Sequence, residues 1–253
     1  MLAVLAVLAG ALATAAPAPA ADVVATPGTL QSALDRAVPG DTVRLRTGTY
    51  RDTVTVPAYD GVVYVKNGGA CTSQPPVVAD YLEPTACGNL YVSGTYASSM
   101  TLGAANDIII KNPTGTTDGD LLRSGDTVMG LIANNFVRVY HKVTRDSDGD
   151  CTGNASGQMN DTTIEAAILS LRHSFMVDNY SCGNPLGTLT VTGAIAQKYR
   201  GPVGTGTGGT ASTGYVKNYV YDDRLRYRSP PFFLNPVDAA WGVVRSNEQV
   251  PAR

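Results

Sequence analysis

Asp146, Asp148 and Asp150 stand at alternate positions in a polar run, Asp146-Ser-Asp-Gly-Asp-Cys-Thr-Gly-Asn154. Carboxylates so spaced on a turn can converge on one hard cation, which is how calcium-binding loops begin. An EF-hand needs glycine at the sixth place and a bidentate glutamate at the twelfth. Cys151 and Gly157 stand there instead. The run is therefore a candidate for a looser calcium site, or else a solvated acidic loop anchored by Cys151. No other cofactor is implied.

Acid–base chemistry on a polysaccharide makes a different demand. Lyases gather carboxylates to hold calcium and place an arginine or lysine beside them as base; hydrolases need two or three carboxylates in one cleft. Acidic residues on the expected strands are few, namely Asp107, Glu165 and Asp178, and they do not recur at a spacing that would stack them. The basic candidates are Arg138, Arg172, Lys198 and Arg200. Convergence of the three carboxylates beside Arg138 or Arg172 on one exposed face would mark an enzyme. His141 and His173 are the two histidines, too few for a metal site without a third ligand. There is no G-x-S-x-G, and Gly204–Thr210 lacks the Lys-Ser/Thr of a phosphate loop. No catalytic residue is assigned.

Tyrosine outnumbers phenylalanine 13 to 4, so many rings are expected to keep a hydroxyl in water. Tyr140, Tyr180 and Tyr199 are the candidates for stacking on a sugar ring, with packing between neighbouring strands as the alternative. The formal charge of -2 excludes a large basic field for nucleic acid.

These side chains need a scaffold. Charged residues make up only 16%, and the polarity carried by Thr, Ser, Asn and Gly suits a β protein. Leu30, Ala33, Leu34 and Ala37 have helical spacing, and Pro39-Gly40 ends that helix. After it the sequence reads as short strands divided by turns, including Thr53–Val56, Met100–Leu102, Val128–Ala133, Phe136–His141, Ile164–Leu171 and Gly214–Tyr221. Asp107–Ile110, Gly130–Ala133, Ala167–Ser170 and Gly193–Ala196 resemble one another, each setting a small or polar residue beside an aliphatic pair. Their spacing fits one coil of a parallel β-solenoid. The expected fold is all-β, a right-handed parallel β-solenoid (β-helix) with a short N-terminal capping helix. Ser229–Pro236 and Ala239–Val244 are expected to cap the last coil.

Met1–Ala21 reads as a secretory signal peptide with an Ala18-Pro19-Ala20 cleavage site. Its apolar core is too short for a transmembrane helix. Residues 22–253 are expected to form one domain, with loop inserts near 66–88, 144–161 and 201–213, the last flexible by its glycine content. Cys71, Cys87, Cys151 and Cys182 are an even set in an exported chain and read as disulfides. They fall into two local couples, Cys71 with Cys87 and Cys151 with Cys182, although other pairings fit the sequence.

Two resemblances add to this reading. AVPGDTVRLRTGTY (Ala37–Tyr50) resembles the first coil of pectate-lyase-like right-handed β-helix proteins, a scaffold feature and not an active-site motif. GLIANNFVRVYH (Gly130–His141), IEAAILSLRHSFMVDNY (Ile164–Tyr180), GTLTVTGAIAQKYRGPVGT (Gly187–Thr205) and YVYDDRLRYRSPPFFLNP (Tyr219–Pro236) resemble a family of secreted bacterial envelope proteins often encoded beside type IV pilus-like genes. That resemblance implies export, a β-rich solenoid-like body and a surface role, and it carries over no site residues. The expected function is a structural or adhesive protein, secreted or at the cell surface, whose partner is an envelope protein or polysaccharide. The alternative is a carbohydrate-active enzyme or a glycan-binding module.

Overall fold

The computed structural model describes residues 21–38, 41–46, 61–71, 86–113 and 116–233. The expected strand at Thr53–Val56 lies outside them. The strands are β1 (Asp22–Ala25), β2 (Thr42–Leu45), β3 (Gly61–Val65), β4 (Leu90–Val92), β5 (Gly94–Tyr96), β6 (Met100–Ala104), β7 (Ile108–Ile110), β8 (Leu121–Arg123) and β9 (Met129–Ala133). They continue as β10 (Val137–Val139), β11 (Val143–Arg145), β12 (Cys151–Asn154), β13 (Thr163–Ser170), β14 (Phe175–Val177), β15 (Pro185–Gln197), β16 (Gly204–Thr207) and β17 (Thr210–Tyr221). Helix α1 is Leu30–Arg36, and a 3-10 turn spans Asp223–Arg226.

The chain is all-β and its sheets are largely parallel. The longest sheet runs β1-β2-β3-β6-β9-β13-β15-β17-β16, with β5 and β8 extending it beside β13. A second sheet, β14-β10-β7-β4, is parallel throughout. The pairs β6–β7, β9–β10 and β13–β14 each step from the first sheet to the second through a short turn, and the three units lie in register. Leu102 faces Leu131, which faces Ile168; Ile108 faces Val137, which faces Phe175. Alternate residues share a face of a strand, so like side chains pile into columns, and these columns are the core. At the turn, Asn106 donates to Asn89 Oδ1 at 2.7 Å, and Asn135 sits above it within hydrogen-bond reach.

Helix α1 covers one end of this core with Leu30, Ala33 and Leu34, all buried. The other end differs from expectation. Instead of crossing the last strands, Pro230–Phe233 lies on the outer face of the long sheet. There Thr101 Oγ1 donates to Pro231 O, and the Phe233 ring occupies the space above Gly130. Ion pairs account for the path: Arg224 and Arg228 reach Asp126, in the turn before β9, at 2.8 and 2.7 Å. Residues 234–253 lie outside the description.

Two of the expected inserts contain strands. β11 and β12 form an antiparallel hairpin. The glycine-rich stretch is also a hairpin, β16 with the start of β17. Gly208 and Gly209 sit in its turn at φ 60° and 82°, the conformation a two-residue hairpin turn requires. Thr205 and Thr213 hydroxyls meet across it at 2.6 Å. Of the four look-alike segments, Asp107–Ile110 belongs to the second sheet, while Ala167–Ser170 pairs with Ala194–Gln197, one residue on from the expected match.

Glycine has two distinct uses on the long sheet. A Cβ on Gly193 would come within 1.9 Å of the Ala166 carbonyl, which is backbone, whereas one on Gly103 would meet the Tyr64 ring at 2.9 Å. A ring can swing aside and a ladder carbonyl cannot. Gly193→Ala is therefore expected to cost about 1–3 kcal/mol through overpacking, with Gly103→Ala clearly milder. Urea denaturation of the two variants side by side checks the order.

Candidate functional site

Arg138, Asp107 and Asp178 form the most enclosed group of charges among the described residues. Arg138 is the middle residue of β10, between Val137 and Val139, which face the core. Its side chain leaves by the opposite face, where its neighbours in register are Ile109 and Met176. Arg138 Nε lies 3.2 Å from Asp107 Oδ2, and Nη1 lies 2.5 Å from Asp178 Oδ2. Asp107 precedes β7 and Asp178 follows β14, so one guanidinium joins three adjacent strands. The other Asp107 oxygen accepts from the Phe136 N–H at 3.0 Å. Side-chain exposure is 2% for Arg138, 0% for Asp107 and 6% for Asp178. Two of the three carboxylates weighed from the sequence thus do converge on Arg138, but on a site closed to solvent.

The third carboxylate is elsewhere. Glu165 on β13 lies 3.3 Å from Arg123 on β8 and accepts from the Arg123 N–H at 2.9 Å. Arg123 also pairs with Asp222 at 3.0 Å, and Asp222 pairs with Arg224 at 2.6 Å. This chain of ion pairs ties β8, β13 and the 3-10 turn together. Tyr96 lies beneath it and donates to Glu165 O at 2.6 Å. Burial, with Glu165 nearby, pushes the Tyr96 phenol well above its ordinary value. Arg172 is exposed on the turn after β13, away from both groups.

The aspartate run forms the tip of the β11–β12 hairpin. Asp146 Oδ1 accepts the N–H groups of Asp148 at 3.1 Å and Asp150 at 2.9 Å, a side chain closing its own turn. Among the described residues no group of three or more His, Cys, Asp or Glu side chains gathers into a metal-holding set. The cysteines pair as the local couples, Cys71 with Cys87 and Cys151 with Cys182. The second disulfide fastens the hairpin to the segment after β14.

His141 lies beneath that hairpin and is fully buried. Its Nδ1 is 3.2 Å from Asp178 O and its Nε2 is 3.1 Å from Asn154 Oδ1. Asn154 Oδ1 already accepts from the Asn184 N–H, so both ring nitrogens face acceptors. A neutral imidazole can donate to only one of them. Desolvation outweighs the pull of these acceptors and lowers the His141 pKa.

The three candidate tyrosines do not form one row. Lys111 Nζ sits 4.3 Å from the centre of the Tyr140 ring and 5.4 Å from that of Tyr91, a cation shared between two rings. Tyr180 packs against Phe136 and Met176. Tyr199 ends a stack in which Phe136 lies 4.7 Å from His173 and His173 lies 6.3 Å from Tyr199. The aromatic step at His173 has no local signal, because the register that brings 136, 173 and 199 together is tertiary.

A hollow of about 460 Å³ opens on the outer face of the long sheet, lined by Tyr64, Thr101, Gly103, Ile132, Leu171 and Phe232. No family model matches this chain, and no curated protein or solved structure is significantly similar to it.

The lowered His141 pKa fixes the sign of a pH effect. Above the unfolded value near 6.5 the ring is neutral in both states and its titration contributes nothing to stability. Below it the unfolded chain binds a proton that the folded site refuses, so stability falls as pH drops from about 6.5 toward the lowered folded value. Urea midpoints at steps from pH 7.5 to 5 are expected to fall, and His141→Gln is expected to flatten that slope.

Proposed function

We propose that the chain is a β-solenoid exported to the bacterial cell envelope, with a structural or adhesive role and no catalysis. The observation that carries this reading is the enclosure of Asp107, Arg138 and Asp178, with Glu165 committed to Arg123. The carboxylate and cation types a lyase or hydrolase would use hold strands together instead of facing a substrate. The in-register stacking of strand–turn–strand units supports the solenoid, because a coil repeated along an axis produces such columns. Two disulfides support an oxidising destination. No helix among the described residues is long and apolar enough to cross a membrane. The resemblance to pilus-associated envelope proteins supports the same placement, with an envelope protein or polysaccharide as partner.

The outer-face hollow favours a second reading, glycan binding, since Tyr64 and the 59%-exposed Phe232 offer ring faces beside it. The calcium that the enzyme alternative would use finds no gathered carboxylate set at Asp146, Asp148 and Asp150 among the described residues.

Oligosaccharide release separates the readings. Protein from Asp22 onward, with both disulfides formed, is incubated with acidic and neutral polysaccharides in calcium or in chelator. No release from folded protein is expected. Calcium-dependent release would overturn the non-catalytic reading, and retention on one polysaccharide without release would favour the glycan-binding one.

A further inference from the structure

β17, the last strand in the chain, leaves one edge open over half of its length among the described residues. β16 covers β17 only as far as Gly214. Beyond it, Val216–Tyr221 pairs with β15 on one side and with no strand on the other among the described residues. The direction of the backbone groups follows from two bonds. Asp222 N donates to Gly193 O on β15, and Tyr215 N donates to Val203 O on the opposite side. Alternation then turns Val216, Asn218 and Val220 toward β15, and Lys217, Tyr219 and Tyr221 toward the open edge. Three N–H and C=O pairs are thus presented at ladder spacing. Natural sheets usually cover, charge or twist away such an edge.

The side chains around this edge are selective. Tyr219, Val220 and Tyr221 are 44%, 48% and 53% exposed. Lys217 and Tyr219 stand above the buried Leu189 and Val191, at the end of the core that α1 does not cover. Lys217 and Arg200 have no carboxylate partner among the described residues, in contrast to Arg123, Arg224, Arg226 and Arg228 nearby in the fold. The Lys217 pKa is lowered, first by burial and then by the charge of Arg200. Two uncompensated cations beside exposed rings and an open ladder call for an extended backbone carrying negative charge.

We propose that the Val216–Tyr221 edge of β17 is a strand-addition site that takes an extended acidic peptide segment from a partner protein. Main-chain hydrogen bonds would supply affinity, and alternate side chains reaching Arg200 and Lys217 would supply selectivity. A polysaccharide meets the charge requirement but lacks the alternating donors and acceptors that match a strand edge. The site goes beyond the envelope reading and does not depend on it, since an enzyme could carry the same edge.

The test uses a fluorescein-labelled peptide of alternating glutamate and valine, the same peptide with lysine for glutamate, and an oligogalacturonate. Binding is read by anisotropy, and amide hydrogen exchange is followed at Lys217, Tyr219 and Tyr221. The acidic peptide is expected to bind and to slow exchange at those three amides. The double change Arg200→Glu with Lys217→Glu is expected to weaken it about tenfold or more. Tyr221→Pro removes an outward N–H without breaking a bond to β15, and is expected to weaken binding while circular dichroism stays unchanged. The charge pair tests the site independently should the proline disturb folding. No binding, equal binding of the lysine peptide, binding without slowed exchange, or displacement of the peptide by oligogalacturonate would each overturn the proposal.

Discussion

One guanidinium, that of Arg138, is held between two carboxylates in a place water does not reach. Taking charges out of water is expensive unless each is paired and hydrogen-bonded. Here the geometry meets that condition only while β7, β10 and β14 keep their register. A slip of one residue would turn Arg138 into the apolar core and leave both aspartates buried without it. The pair therefore selects a register as much as it adds stability.

The same constraint decides where the fold can bury a charge. Parallel strands stacked in register bring like side chains together, so an aliphatic column forms wherever the repeat is aliphatic, and a buried charge is satisfied either by backbone N–H groups, as Asp41 is by Ala21 and Val38, or by a counter-charge arriving from the next strand. Asp107 and Asp178 are used in this way, and Glu165 is used with Arg123 and Asp222. Among the described residues the surface carries, besides scattered charges, a hairpin tip, separate tyrosines, a hollow and an open strand edge.

Much of the body was legible in the sequence. Short strands between turns, the amphipathic pattern of Leu30–Ala37 and the local cysteine couples follow from periodicity, capping and proximity, and all three appear among the described residues. What was missed depends on pairings far apart in the chain. β5 and β8 are three-residue strands too short for any period, and they exist because each pairs with the other. The Gly208-Gly209 pair suggests flexibility by composition, but its two positive φ angles close the β16–β17 hairpin. The path of Pro230–Phe233 depends on Arg224 and Arg228 finding Asp126 about a hundred residues earlier, which no local pattern announces. That Asp107, Asp178 and Arg138 meet, and that they meet in an enclosed place and not on an exposed face, is a property of the assembled sheet.

Arg138 and its two aspartates thus form a structural staple across β7, β10 and β14. Chemical denaturation of Arg138→Met, set against the triple variant that also carries Asp107→Asn and Asp178→Asn, tests it most directly. Removing the cation alone strands two buried carboxylates and is predicted to cost about 3–5 kcal/mol, with much of that recovered once both carboxylates become neutral amides. A loss below about 1 kcal/mol for Arg138→Met, or no recovery in the triple variant, would mean that the three side chains do not staple the strands.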